Sequence, residues 1–173
     1  VVTVVTNGGT GARPTKDGLS ATAYPSGVRA SAIEVMESIA PLVFWKKELR
    51  ADSGGAGQFR GGHGQSIVIQ NTQGEDFEIL ASFDRIDHAP RGREGGADGA
   101  NGYVGLGSGK RLNGKGFQTI PAGDTFIVET PGGAGIGNPA QRDKAEVSDD
   151  LRDGVVSAEA AQRDYGYAAA GDD

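Results

Sequence analysis

Apolar positions along this chain come in short blocks separated by long polar, glycine-rich intervals, a rhythm of strands joined by loops. Residues 1–6, VVTVVT, are β-branched throughout and predict a buried strand. Residues 32–39, AIEVMESI, fit either a short helix or an extended segment that closes before Pro41. Residues 42–49, LVFWKKEL, open as a continuous apolar run and turn charged, as a strand leaving a core does. Residues 66–70 and 77–83 read as a hairpin around the loop NTQGED, and 117–120 and 125–129 as two strands around the turn PAGD. Between Pro90 and Gly116 lie ten glycines, with Tyr103, Val104 and Leu106 as the sizeable apolar anchors, so this interval reads mostly as loop. From Arg142 the period becomes helical. Val147 and Leu151 stand four apart with Gly154 as a stop, and Ser157 is placed to cap AEAAQRDY before Gly166. The expected fold class is mainly β (α+β): a glycine-rich β sandwich or barrel-like domain over residues 1–139, a two-helix appendix over 140–167, and a frayed tail at 168–173.

Composition sharpens this picture. Thirty of the 173 residues are glycine, far above the usual share of about 7%. They follow no fixed period, which argues against collagen, and they lie between intact apolar runs, which argues against a disordered chain. What remains is a loop-rich β protein, or a piece of something larger whose core other segments complete. The first residue is Val1, inside a strand-like run, and the chain therefore reads as part of a longer polypeptide.

Charge and cysteine usage exclude several classes. A net charge of −6 with no basic face argues against a nucleic-acid partner. The absence of cysteine rules out disulfides, a thiolate nucleophile and thiolate metal sites. No apolar run approaches the roughly 18 residues that a membrane helix needs, and no signal-peptide pattern opens the chain, so the expected location is the cytoplasm.

The densest candidate chemistry is the loop TNGGTGARPTKDG, residues 6–18. Gly8, Gly9 and Gly11 offer backbone N–H groups, and Asn7, Arg13, Lys16 and Asp17 offer polar and charged heads that can converge on a ligand. The same composition also suits a tight connection after a strand. Other candidates fail on spacing or remain open. The string DSGG at residues 52–55 fits a protease nucleophile loop only if a histidine base lies upstream, whereas His63 and His88 both lie downstream; a turn held by Asp52 and Ser53 suits it better. GLGSGKR at residues 105–111 has Val104 where a phosphate-binding loop needs its first glycine, and Arg111 where it needs a hydroxyl. GGAGIG at residues 132–137 misses the dinucleotide spacing. Asp84, Asp87 and His88 are the residues best spaced for a metal, although such a cluster is more often a solvated face, and no metal ligand is assigned in this chain. Glu34 and Glu37 are either a carboxylate pair for acid–base work or surface charges of a helix.

Four strings taken together carry a more specific signal: GGTGARPTKDGLSATAYPSG, ELRADSGGAGQFRGGHGQ, ETPGGAGIGNP and RDGVVSAEAAQRDYG. In this order they resemble the C-terminal part of the hydantoinase B/oxoprolinase family, related also to the α subunit of acetone carboxylase. The resemblance covers essentially the whole chain but about the last third of a family polypeptide. It implies ATP-driven opening of a small cyclic amide, or ATP-driven carboxylation of a ketone in the carboxylase branch. ATP is then expected on an A-type partner subunit, and a divalent metal, where one is used, in the N-terminal portion of the B-type subunit. The partners implied are that N-terminal portion, the A-type subunit and the cyclic amide itself. The matching positions are Asn7, Gly8, Gly9, Gly11, Arg13, Lys16 and Asp17, then Glu34, Asp52, Ser53, Gly54, Gly55, Arg60, Gly61, Gly62 and Gly64, and finally Thr130, Pro131, Gly132 and Gly133. From these the expected catalytic residues are Arg13, Lys16 and Asp17, with Asn7, Gly8, Gly9, Gly11 and Glu34 at the substrate. The DSGG and RGG segments are expected to shape supporting turns.

Overall fold

The computed structural model of the chain describes residues 2–23, 26–28, 30 and 32–168. Two antiparallel sheets face one another, as a sandwich rather than a closed barrel. The larger contains β1 (Leu42–Leu49), β2 (Gln65–Asn71), β4 (Tyr103–Leu106) and β6 (Thr125–Glu129) in the order β1-β2-β6-β4. The smaller is a ribbon of β3 (Phe77–Ser82) and β5 (Lys115–Ile120). Alternate residues of the strands turn inward: Ile67, Ile69, Val104, Leu106, Ile120, Phe126 and Val128 are buried in one apolar layer, against which Phe77, Ile79, Phe83 and Ile86 pack. Residues 33–39 settle as the helix α1 (Ile33–Ile39), whose Glu37 accepts the Phe44 N–H at 2.8 Å and so fixes the helix to the start of β1.

Two expectations are corrected. Residues 2–6 form no strand, and Val4 and Val5 are 36% and 39% exposed; β-branched residues favour a half-buried pleated surface, and these have no partner strand among the described residues. β2 and β3 exist but do not form a hairpin, because the loop between them carries the chain from one sheet to the other, and β5 and β6 part company in the same way. The interval 90–116 is mostly loop, as expected, and its apolar anchors Tyr103, Val104 and Leu106 lie on β4, an edge strand paired to β6. Of the expected tail 168–173, all but residue 168 lies outside the described residues, as does Val1.

The glycine-rich intervals turn out to be one structure. Segments 7–12, 18–22, 53–57, 59–64, 97–100 and 131–137, interrupted by positive φ at Ala21 (45°) and Gly137 (77°), lie side by side, joined backbone to backbone. Along 131–137 the partners recur every third residue. Pro131 and Ala134 accept from Gly9 and Ala12, Gly133 and Ile136 donate to Gly62 and Phe59, and Gly132 and Gly135 donate to Ala100 and Ala97. A flat sheet alternates between two neighbours; three neighbours at a period of three is the geometry of a bundle of polyproline II-type helices. The same step of three joins Gly18 and Ala21 to Arg60 and His63, and Ala97 and Ala100 to Ala56 and Ser53. At the positions turned toward a neighbouring rod such packing leaves no room for side chains. A Cβ on Gly133 would stand 1.7 Å from the Thr10 carbonyl oxygen, and one on Gly61 1.9 Å from that of Gly133. The segments expected as turn-forming loops are thus the rods of a bundle.

Two helices close the chain. α2 (Lys144–Arg152) is capped by Asp143, which accepts from Ala145 N–H at 2.9 Å, and α3 (Ala158–Tyr165) by Ser157, which accepts from Ala160 N–H at 3.1 Å. Gly166, in the left-handed region at φ 59°, ends α3. Val147, Val156, Ala160, Ala161 and Tyr165 form a second apolar cluster that also takes in Ala56 of the bundle.

Candidate functional site

The bundle positions two neighbourhoods that contain the residues picked out in the sequence. The first is a group of four charges, two of them, Arg142 and Asp150, buried and two, Arg60 and Asp17, half-buried. Arg142, 3% exposed, lies just before the cap of α2 and grips Asp17 with both terminal nitrogens, Nη1 to Oδ1 at 2.9 Å and Nη2 to Oδ2 at 2.8 Å. Its Nη2 also donates to Asp150 Oδ2 at 2.8 Å. Arg60 donates from Nε and Nη2 to the same Asp150 carboxylate at 2.8 to 3.0 Å, while its backbone N–H donates to Asp17 Oδ1 at 2.8 Å. Two cations and two anions therefore neutralise one another across the first loop, the RGG rod and α2, with the Tyr165 ring 5.9 Å from the Arg142 guanidinium. Burial alone pushes the Asp17 carboxyl up; the hydrogen bonds and charge of Arg142, with help from Arg60, outweigh it and hold the group below its ordinary value. Burial likewise pushes the Tyr165 hydroxyl up to about 12.

Asp17 is thereby an anchor of the loop it belongs to. The loop tip is a tight turn in which Arg13 and Lys16 pair through their backbones, and Arg13 folds back to donate from Nε and Nη2 to the Asp17 carbonyl at 3.1 and 2.7 Å. Both heads lie on the exposed surface, whereas the Asp17 carboxylate points inward, so the three do not converge on one cavity. Glu34 is exposed on α1. Beneath the charge cluster His63 is fully buried; its Nδ1 accepts from Gly54 N–H at 3.4 Å, and its Nε2 has no partner among the described residues. Burial, then the nearby Arg60 charge, depress its pKa to about 4, so the ring is neutral.

The second neighbourhood is a cleft of about 480 Å³. One wall is the extended segment 3–8, which includes Asn7 and Gly8; the other is the end of β3 with Leu80, Ser82, Phe83 and Ile86, and Glu129, Thr130 and Pro131 form its floor. Thr130 Oγ1 holds the first wall in place, donating to the Asn7 carbonyl at 3.0 Å and accepting from Gln65 N–H at 2.6 Å. Glu129 is paired with Arg50 at 3.0 Å. Of the eight residues singled out in the sequence, Asn7 and Gly8 line this cleft; Gly9 is enclosed in the bundle against Gly62, and Gly11 borders open space.

Many of the glycine amides are spent on backbone carbonyls and are not free to cradle a phosphate. Those of Gly9, Gly55, Gly61, Gly62, Gly132, Gly133 and Gly135 all donate to backbone carbonyls within the bundle, and those of Gly107 and Gly109 are spent in the turn after β4. Asp84 pairs with Lys115 and Asp87 with Arg111, and among the described residues no group of three or more His, Asp or Glu side chains is disposed to hold a metal ion. No helix among them is long and apolar enough to cross a membrane.

Sequence reading named Arg60 only as a recurring motif position and missed Arg142 and Asp150. A signal was present: Arg142, Glu146 and Asp150 stand four residues apart, the spacing of a single helical face, and Glu146 does reach Arg142 at 3.2 Å.

Comparison with known proteins fits this geometry. A family model described as hydantoinase B/oxoprolinase matches residues 1–139. An uncharacterized protein of Methanocaldococcus jannaschii is 39% identical over 137 residues, covering 77% of this chain and 24% of its own length. A putative B-type subunit of a D-/L-hydantoinase from a Pseudomonas species is 32% identical over 173 residues, covering 94% of this chain and 28% of its own length. Among solved structures, the ATP-dependent caprolactamase from Pseudomonas jessenii superposes with a TM-score of 0.79 at 26% identity, over 98% of this chain and 31% of that one. The chain spans less than a third of the length of each of these proteins, and 77% to 98% of it is matched. On the family match over most of its length, supported by a shared fold that includes the C-terminal helices, the chain belongs to the hydantoinase B/oxoprolinase family.

Proposed function

We propose that this chain is the C-terminal part of the B-type subunit of an ATP-dependent hydrolase that opens a small cyclic amide, of the hydantoinase or 5-oxoprolinase kind. The observation that carries the reading is the superposition of the chain, bundle and helices together, on an ATP-dependent caprolactamase. In this reading the chain has no catalytic power alone. It works in a cytoplasmic hetero-oligomer, in which the A-type partner binds ATP and any divalent metal lies in the rest of the B-type subunit. Asn7 and Gly8 border the substrate from the cleft wall. Arg13 and Lys16, exposed at the tip of an anchored turn, meet charged groups supplied by the partner, and Asp17 acts as a positioning residue that fixes that turn.

The test is turnover by the assembled complex. With 5-oxoproline, hydantoin and caprolactam as substrates, ring opening coupled to ATP cleavage is expected for at least one. Ketone carboxylation that requires bicarbonate, with no ring opening, would move the protein to the carboxylase branch, and ring opening by this chain alone would overturn the division of labour. The burial of Asp17 among Arg60, Arg142 and Asp150 favours a second reading, that this part only holds the complex together. Full turnover by an intact complex carrying both Arg13→Ala and Lys16→Ala would decide for it.

A further inference from the structure

We infer that the outward face of the β3–β5 ribbon, centred on Leu80 and Phe117, is the docking surface for the remainder of a hydantoinase B-type polypeptide. The inference rests on the reading above that this chain works as one portion of such a polypeptide. Leu80 and Phe117 are directly opposed in the ribbon register, and they are 68% and 75% exposed, while Ile79 and Ile120 turn inward to the core. A cross-strand leucine–phenylalanine pair is the kind of contact that stabilises a sheet by packing; here its upper side faces solvent.

Single exposed apolar residues are ordinary, but this pair is not isolated. Leu80 also forms part of the cleft wall, opposite the half-exposed Val4 and Val5 and beside Phe83, Ile86 and Pro131, so an apolar strip runs from the ribbon face into the cleft. At both ends of the ribbon the same face turns polar, through Glu78 opposite Thr119 and Ser82 opposite Lys115, all exposed. An apolar centre with a polar rim is the anatomy of a protein interface.

The length of the relatives identifies the occupant. In the caprolactamase the fold of this chain makes up 31% of the polypeptide, and in the hydantoinase relative the matched part is 28%. More than twice as much chain again must pack somewhere against this fold. The ribbon is the thinnest layer of the sandwich, two strands with one uncovered apolar face, and it is where additional layers complete a core. Because Leu80 belongs to both the face and the cleft, whatever covers the ribbon also roofs the cleft, turning an open groove into an enclosed cavity.

The experiment uses the complete B-type polypeptide that contains this chain, purified with its A-type partner. Hydroxyl-radical footprinting compares Phe117 with Phe126, the same chemical group at 4% exposure. Oxidation of Phe117 within threefold of Phe126 is the expected result, and faster oxidation overturns the inference. A photo-crosslinking phenylalanine analogue at position 117 then identifies what lies on the face. Adducts to the rest of the same B-type polypeptide support the inference; adducts to a second copy of this chain or to the A-type partner, or no adduct, overturn it. Ring opening assayed on the same preparation reads the functional proposal separately, since a protected Phe117 in an inactive complex would remove the proposed activity and leave the docking face standing.

Discussion

Replacing Gly133 by alanine tests whether the glycines serve close packing of backbones. The added Cβ would lie 1.7 Å from the Thr10 carbonyl oxygen and 2.2 Å from its carbon, where ordinary contact begins at 3.4 Å. The rods 7–12 and 131–137 must therefore separate by roughly 1.7 Å, which exceeds what a hydrogen bond of normal length tolerates. At risk are the bonds from Gly9 to Pro131, from Ala12 to Ala134, from Gly133 to Gly62 and from Gly55 to Gly133, all 2.8 to 2.9 Å long. Losing two of them at about 1 kcal/mol each, with an overpacking cost of roughly 1–3 kcal/mol, gives a destabilisation of about 4 kcal/mol. At this chain length each kcal/mol lowers the melting temperature by roughly 2–4 °C, so a fall of about 8–16 °C is expected. Gly11→Ala is the matched control, because the nearest atom to its Cβ is 3.8 Å away; it should be neutral or stabilise by up to about 1 kcal/mol. Urea and thermal denaturation followed by circular dichroism measure both. A Gly133→Ala protein within about 1 kcal/mol of the parent, or a Gly11→Ala protein equally damaged, would refute the close-packing argument.

Burial keeps His63 neutral down to about pH 4, whereas in the unfolded chain it takes up a proton near its ordinary 6.5; the stability this contributes is complete above pH 6.5 and lost as pH falls toward 4, about 3 kcal/mol in all. Urea titrations between pH 4.5 and 7.5 should show that slope in the parent and not in His63→Gln, and equal slopes would contradict the assignment. Arg142→Ala leaves Asp150 with Arg60 alone and the half-buried Asp17 with little more than the Arg60 backbone N–H, and should cost about 3 kcal/mol, the low end for a broken buried pair, with faster amide exchange in α2 and α3. Adding Asp150→Asn should recover part of that loss, and strictly additive effects would show that the charges are not coupled. Arg13→Ala and Lys16→Ala, at exposed positions, should each change stability by less than about 0.5 kcal/mol, so that any fall in turnover of the assembled complex reports function rather than folding.

Local pattern carried a good deal of this protein. The caps Ser157 and Gly166 flank α3 where short-range chemistry requires them, and the apolar runs at 42–49, 66–70, 77–83, 117–120 and 125–129 mark strands, because a strand's face is written in a period of two. The four family strings were legible as motifs, as was the glycine excess. Partnership was not legible. Nothing in residues 77–83 says that their neighbour is 115–120 rather than 65–71, since a period specifies which side of a strand is apolar and not which strand lies beside it.

The candidate site shows the same division. Its residue types stood out early, but the sequence could not say that Asp17 turns inward to meet an arginine 125 positions later, while Arg13 and Lys16 turn out. Sequence alone marked five of the six strands and both C-terminal helices, the exclusion of thiol chemistry and the kinship, while it misplaced a strand at 2–6 and passed over β4. Tertiary structure decided that the glycines form a bundle, that four charges lock the helices to it, and that Asn7 and Gly8 line the cleft while the loop tip does not. The reason is physical: propensities and caps act over a few residues, whereas a glycine's missing side chain or a buried carboxylate acquires meaning only from what packs against it, and here that lies tens to over a hundred residues away.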